Sequence, residues 1–295
     1  MLKTTKINNI KVLPVITNKR EPDKIGGYNF FPEPYCNIAI LGKKHSGKSS
    51  TLFNILKACA NKNTHIWLFA STIHRDDTYK EIIKMLEDKK CQVSTFIHFM
   101  DEGGNILDEI IEELKNPNSL TGDEPCIDTP ADAFPMGVGK SSKMKPNFGG
   151  RELTEEEKEA KAEKEKEREE KKLKKKKIYP EHIFCMDDLG ADMRHKSIDI
   201  LLKTNRHFKS KVILLGHTLT DLNPASRKQL DYTLIFKCFS EEKLKTLYTD
   251  LDLSLDFEDF KKAYDYATKD PYNFLYISTK SDELRKNFNE KIEIC

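Results

Sequence analysis

The run Gly42-Lys43-Lys44-His45-Ser46-Gly47-Lys48-Ser49 matches G-x-x-x-x-G-K-[ST] in full and constrains the fold more than any other stretch. It follows an apolar, β-rich run, Asn37–Leu41, and precedes Lys48–Cys59, whose Leu52, Ile55 and Leu56 recur at helical spacing. Strand, glycine loop and helix in that order form the context that gives the motif its meaning. The glycines let the backbone close around an anion, so that successive N–H groups point inward at a helix N-terminus. Lys48 supplies a point charge for the β- and γ-phosphates of a nucleotide, and the Ser49 hydroxyl is a ligand for Mg²⁺. Gly42, Lys43, Lys44, His45, Ser46, Gly47, Lys48, Ser49 and Ser50 are therefore the candidate nucleotide-binding residues. The competing reading is a chance Gly/Lys/Ser turn.

The strand–helix alternation continues beyond the loop. Residues 65–70 read as a strand, 79–88 as a helix, 92–98 as a strand and 106–114 as a helix. It resumes at 183–186 (strand), 196–208 (helix), 212–215 and 232–236 (strands). This order calls for an α/β fold with a mostly parallel central sheet flanked by helices. Residues 1–35, with four prolines and Gly26-Gly27, read as an N-terminal arm carrying one short strand at 10–16. The core is expected in two parts, 36–116 and 178–240. Between them, 117–150 has loop composition and 151–177 is almost entirely Glu, Lys and Arg, a charged insert without heptad spacing. The stretch 241–295 reads as a mainly helical C-terminal extension with an aromatic strand candidate at 273–277.

A chain of 295 residues with 38% hydrophobic and 33% charged residues suits a globular core with one strongly charged segment. Its net charge of +2 argues neither for nor against a nucleic-acid partner. Seven dispersed cysteines without Cys-x-x-Cys spacing argue against a disulfide framework or a zinc site. No apolar stretch reaches the ~18 residues of a membrane span, and the N-terminus lacks a signal-peptide pattern. An intracellular, reducing compartment is expected.

Three further constellations bear on chemistry. His182-Ile183-Phe184-Cys185-Met186-Asp187-Asp188 is a buried strand ending in two acids, which brings carboxylates to the sheet edge where the loop opens. Asp187 would belong to the Mg²⁺ shell, and Asp188 would orient or deprotonate the attacking water; an acidic turn capping the next helix is the plainer alternative. Val212-Ile213-Leu214-Leu215-Gly216-His217-Thr218 ends a strand in a polar pair, with His217 the candidate contact to the γ-phosphate or water. Arg206 is a candidate arginine finger toward a neighbouring subunit's nucleotide, with Arg227 and Arg75 behind it; the alternative is a surface arginine ending a helix. His74, His98 and His195 show no ligand spacing. Asp187–Gly190 spells D-x-x-G, yet a GTPase reading fails for want of a downstream Asn-Lys-x-Asp motif. A small-molecule kinase needs a lid that the sequence does not offer.

Four features in order resemble the genome-packaging ATPases of large eukaryotic DNA viruses, virophages and Maverick/Polinton elements, the poxvirus-type branch of the FtsK–HerA superfamily. They are Gly42–Ser49; Ser71-Thr72 leading to Asp76-Asp77-x-Tyr79; Met186-Asp187-Asp188-Leu189; and Arg206-His207 shortly before the strand at 212–215. The similarity spans roughly residues 36–240 apart from the insert, and departs where that family usually carries Gln and this chain has His217. The resemblance implies a RecA/FtsK–HerA-like P-loop fold and an ATPase using ATP and Mg²⁺. It further implies a homo-oligomeric ring acting on double-stranded DNA without sequence preference, capsid proteins as partners, and residence in the infected cell's cytoplasm, virus factory or virion. ATP-driven packaging of viral DNA is the leading expectation. A HerA-like helicase or translocase in replication or recombination, and a nucleotide-switched capsid-assembly protein, are the alternatives.

Overall fold

The computed structural model describes residues 24–101, 104–116, 177–237 and 239–293. The strand expected at 10–16 lies outside them, as does the insert at 117–177 except for its last residue. The described elements are β1 (Asn37–Leu41), α1 (Lys48–Cys59), β2 (His65–Ala70), α2 (Asp77–Asp88), β3 (Gln92–Phe96), β4 (Met100–Asp101), β5 (Gly104–Asn105) and α3 (Ile106–Lys115). After them come β6 (His182–Asp187), α4 (Lys196–Thr204), β7 (Ser210–Gly216), α5 (Pro224–Arg227) and β8 (Tyr232–Phe236). The chain closes with α6 (Glu241–Leu251), α7 (Phe257–Ala267), β9 (Phe274–Ser278), β10 (Glu283–Lys286) and β11 (Glu290–Ile292).

Among the described residues, nine strands form one sheet in the order β11-β10-β9-β8-β1-β7-β6-β2-β3. The six from β8 to β3 are mutually parallel, and β9, β10 and β11 add on antiparallel. Parallel neighbours need crossovers, and these place helices on both faces, so the central strands are buried along their length. In β1 the side chains alternate between two apolar layers. Ile38 and Ile40 pack with Leu52 and Ile55 of α1 and Tyr79 and Ile82 of α2. Ala39 and Leu41 join Ile110 of α3, Leu201 of α4, Leu244 of α6 and Phe260 of α7.

The helical extension expected from residue 241 is helical only through Ala267. Beyond it, Phe274–Ile292 supplies three strands, with β9 pairing Leu234 to Tyr276 and β10 pairing Tyr276 to Arg285. The short, charged sequences of β10 and β11 carry little strand signal of their own, and pairing to β9 decides them. The expected helix at 196–208 stops at Thr204. There Asn205 O accepts from Ser210 N (2.8 Å) and Lys209 adopts φ 47°, turning the chain into β7.

At the end of the sheet away from the glycine loop, Lys211 is fully buried. Its ammonium donates to Glu33 O at 3.1 Å, lies 2.9 Å from Cys36 Sγ and sits 4.8 Å from the Phe31 ring, which ties the segment before β1 to the core. Burial pushes the Cys36 thiol up to about 12, so it is an unreactive core thiol. Cys59, Cys91 and Cys185 are likewise free and buried.

Candidate nucleotide site

The C-terminal ends of β1, β6 and β7 meet at one edge of the sheet, and the candidate residues gather there. After Leu41 the chain leaves β1, Gly42 N donates to Gly216 O at 3.1 Å, and Ser46 N donates to Lys43 O at 3.3 Å. His45 (φ 62°) and Gly47 (φ 106°) then reverse the backbone into α1. A methyl group on Gly42 would sit 2.5 Å from Ser46 Oγ, so the loop closes on itself too tightly for a side chain there. α1 begins without a side-chain cap and with no acid in its first turn. Its leading N–H groups are therefore left for an anion. Ser46 Oγ is buried without a hydrogen-bond partner. These features fit phosphate oxygens, which accept from N–H and O–H donors. Lys48 Nζ donates to Gly42 O (2.8 Å) and Lys43 O (3.0 Å), held across the loop it would serve.

Asp187 closes β6, in register with Ala70 of β2 and Leu215 of β7. The hydroxyl of Tyr79, in the first turn of α2, donates to Asp187 Oδ2 at 2.5 Å and leaves Oδ1 for another partner. Burial raises the Asp187 pKa; the Tyr79 hydrogen bond and the Lys48 ammonium oppose that rise, while Asp188 and Asp76 add to it. One half-buried serine hydroxyl, Ser49, and one carboxylate make a sparse oxygen set, which suits a Mg²⁺ ion that keeps most of its waters.

Asp188 adopts φ 50°, which an aspartate tolerates better than most residues, and its side chain is exposed. Because β7 lies between β1 and β6, its end falls between the glycine loop and the acidic pair. His217 occupies that position, with Nδ1 at 3.0 Å from Gly42 O and Nε2 at 3.8 Å from Asp188 Oδ1. A cavity of about 210 Å³ opens beside His217 and Asp188, with Ala39, Leu41, Met193 and Leu222 among its apolar walls. Lys48, Ser49, Asp187, Asp188 and His217 thus share one edge. Lys43, Lys44 and Ser50 are exposed around it.

Arg206 stands at the opposite edge, just before β7. Its guanidinium lies 3.3 Å from Asp231 Oδ1 and 3.9 Å from Glu33 Oε2, so it reaches no phosphate of its own chain. Arg227 is half-buried and paired with Asp250 at 2.9 Å, whereas Arg75 is exposed in the turn after β2. His74 and His98 are exposed. His195 caps α4, accepting from Ser197 N at 3.3 Å. The Tyr79–Asp187 contact joins residues 108 apart; the sequence sets Asp76-Asp77-x-Tyr79 and Met186-Asp187-Asp188-Leu189 among its family-like features but does not say that they meet. Phe236 and Tyr272 press on Gly47, each with a ring carbon 3.4 Å from where its methyl would be; the sequence offered no sign of that either.

A glycine loop between a parallel strand and an uncapped helix, faced by an acidic strand one strand removed, defines a P-loop nucleoside-triphosphate-binding α/β fold. No protein-family model matches the chain, and no curated protein matches it. Among solved structures it is similar to the genome-packaging NTPase B204 of Sulfolobus turreted icosahedral virus 2 in complex with AMP. That pair has 15% identity and a TM-score of 0.49, covering 86% of this chain and 98% of that one. It is also similar to B204, the DNA-packaging ATPase of Sulfolobus turreted icosahedral virus (18%, TM-score 0.47, 86% and 97% covered). A further similarity is to ATPases 2 and 3 of EssC from Geobacillus thermodenitrificans (13%, TM-score 0.45, 85% and 39% covered). Among the described residues, no helix is long and apolar enough to cross a membrane.

Proposed function

We propose that this chain hydrolyses ATP and uses the energy to move double-stranded DNA into a capsid, as a ring of identical subunits. The observation that carries the hydrolytic part is the placement of His217 between Gly42 and Asp188. A site that only held nucleotide would need the loop and Lys48 but not an exposed carboxylate beside a hydrogen-bonding ring. The DNA-moving part is supported by the order of the four sequence features shared with packaging ATPases.

Lys48 and the N–H groups opening α1 bind the phosphates and balance charge that builds on the γ-phosphate side as its bond to ADP breaks. Ser49 and Asp187 would hold Mg²⁺, which when bound neutralises phosphate charge. Asp188 accepts a hydrogen bond from the attacking water and takes its proton as the new phosphorus–oxygen bond forms. His217, fixed by Gly42 O, directs its other nitrogen to the same region. Arg206, remote from its own loop, would act on the nucleotide of the next subunit. DNA would be gripped by its phosphates, so binding is salt-sensitive and independent of sequence.

The test is ATP turnover by size-fractionated oligomers with and without duplex DNA. Duplex DNA is expected to stimulate turnover, Lys48→Ala to abolish nucleotide binding, and Asp188→Asn to bind ATP yet lose turnover. Turnover indifferent to any duplex DNA removes the motor, and an active Asp188→Asn protein removes the assigned base.

A further inference from the structure

Tyr272 is a large aromatic residue in a place that packing does not explain. The residue is 73% exposed. It follows Pro271 in a turn closed by Asn273 N donating to Asp270 O at 3.4 Å, and its own φ is +65°. Proline followed by a positive φ is the pattern of a type II turn, whose third position calls for glycine or asparagine. A tyrosine there holds its Cβ against backbone atoms, a strain that ordinary turn residues avoid. Burial offsets little of that strain, because most of the residue is in solvent.

The turn is nonetheless firmly held. Asn287 Nδ2 donates to Asn273 Oδ1 at 2.9 Å, and Asn287 Oδ1 accepts from Phe274 N at 3.2 Å. The ring also has a definite neighbour. A methyl on Gly47 would lie 3.4 Å from Tyr272 Cδ1 and 3.7 Å from its Cβ, so the tyrosine rests on the glycine that opens α1. An exposed aromatic surface therefore stands on a rigid turn beside the phosphate loop, at the same edge of the sheet.

We infer that Tyr272 is the platform on which the nucleobase of the bound nucleotide stacks. The inference rests on the nucleotide-site reading above. Every base has a π-face, so such a platform recognises a nucleobase without choosing among bases. Phosphate recognition by the loop and base recognition by Tyr272 are then separable, and a ligand without a base reveals the difference.

Binding of ATP, GTP and inorganic tripolyphosphate is measured for the wild type, Tyr272→Ala, Tyr272→Trp, Tyr272→Gly and Lys48→Ala. Tyr272→Ala is expected to weaken ATP roughly tenfold, within the range of base-stacking losses, and to leave tripolyphosphate at wild-type affinity. Tyr272→Trp keeps ATP affinity, and GTP follows ATP in every variant. Tyr272→Gly, which relieves the turn, is expected to raise the melting temperature while weakening ATP, separating stability from binding. Unchanged ATP affinity in Tyr272→Ala, or equal weakening of ATP and tripolyphosphate, overturns the platform while leaving the phosphate loop in place. Wild-type binding of both ligands by Lys48→Ala overturns the nucleotide site itself, and the platform with it.

Discussion

The imidazole Nδ1 of His217 lies 3.0 Å from the carbonyl oxygen of Gly42, the first residue of the phosphate loop. A carbonyl only accepts, so Nδ1 carries a proton and the ring is fixed with Nε2 toward Asp188 Oδ1, 3.8 Å away. One side chain thus links the end of β7, the loop after β1 and the acid after β6.

His217→Ala is expected to lower kcat for ATP roughly a hundredfold, the scale of losing a positioned proton-handling group, with KM for ATP little changed. His217→Gln keeps a donor for Gly42 O and an oxygen for water, and should retain most of the turnover. Steady-state kinetics decide the matter; equal losses in both variants would show that the imidazole itself is needed.

Tyr79→Phe removes the hydroxyl that holds Asp187 Oδ2 and keeps the buried ring. The Mg²⁺ concentration for half-maximal turnover should rise about tenfold, as is typical when a metal ligand loses its hydrogen-bond partner. Turnover at saturating Mg²⁺ should recover. A Mg²⁺ titration identical to the wild type's would detach Tyr79 from the metal.

Arg206→Ala should reduce turnover roughly a thousandfold if the guanidinium serves a neighbour's nucleotide. Because Arg206 and the loop lie at opposite edges of one subunit, Arg206→Ala and Asp188→Asn damage different partners of a shared interface. Mixing the two should restore hydrolysis at mixed interfaces. No recovery in rings proven to mix would return Arg206 to its contacts with Asp231 and Glu33.

His65 stacks on Trp67 with ring centroids 3.8 Å apart, and its Nε2 is 2.9 Å from Ser94 Oγ. Burial, and then His182, lower its pKa from 6.5 to about 4; His182 is lowered too, mainly by burial. Between those pH values the unfolded chain binds a proton that the folded chain refuses, so stability falls as pH falls from 6.5 toward 4. His65→Phe should shrink the difference in urea midpoint between about pH 7 and about pH 5. The raised pKa of Asp187 has the opposite sign over the range above its ordinary 3.8, favouring the folded state as acid is added. An unchanged pH difference in His65→Phe would place the acid sensitivity elsewhere.

Much of the fold was legible because its signals are local. β1, α1, β2 and β8 occupy the expected spans, since each is a contiguous apolar run or a helical stripe bounded by polar residues. α2 starts two residues earlier than expected, where Asp76 accepts from Thr78 N at 2.8 Å and caps the helix. β10 and β11 escaped because Glu283–Lys286 and Glu290–Ile292 become strands only through pairing. Tyr272 escaped for a related reason: nothing in the stretch before the strand candidate at 273–277 sets it apart until its positive φ and the neighbouring Gly47 are seen together.

By itself the sequence determined the glycine loop between β1 and α1, because its conformation resides in the backbone of eight contiguous residues that two glycines allow to curl. It also determined that the acids at 187 and 188 end a buried strand. Tertiary structure decided which distant groups meet. Placing β7 between β1 and β6 brings His217 to Gly42 across 175 residues, and packing α2 beside β6 brings Tyr79 to Asp187. The same strand directions send Arg206 to the far edge. Strand order follows from how apolar faces are covered rather than from the order of the chain, so these partnerships have no local mark to read.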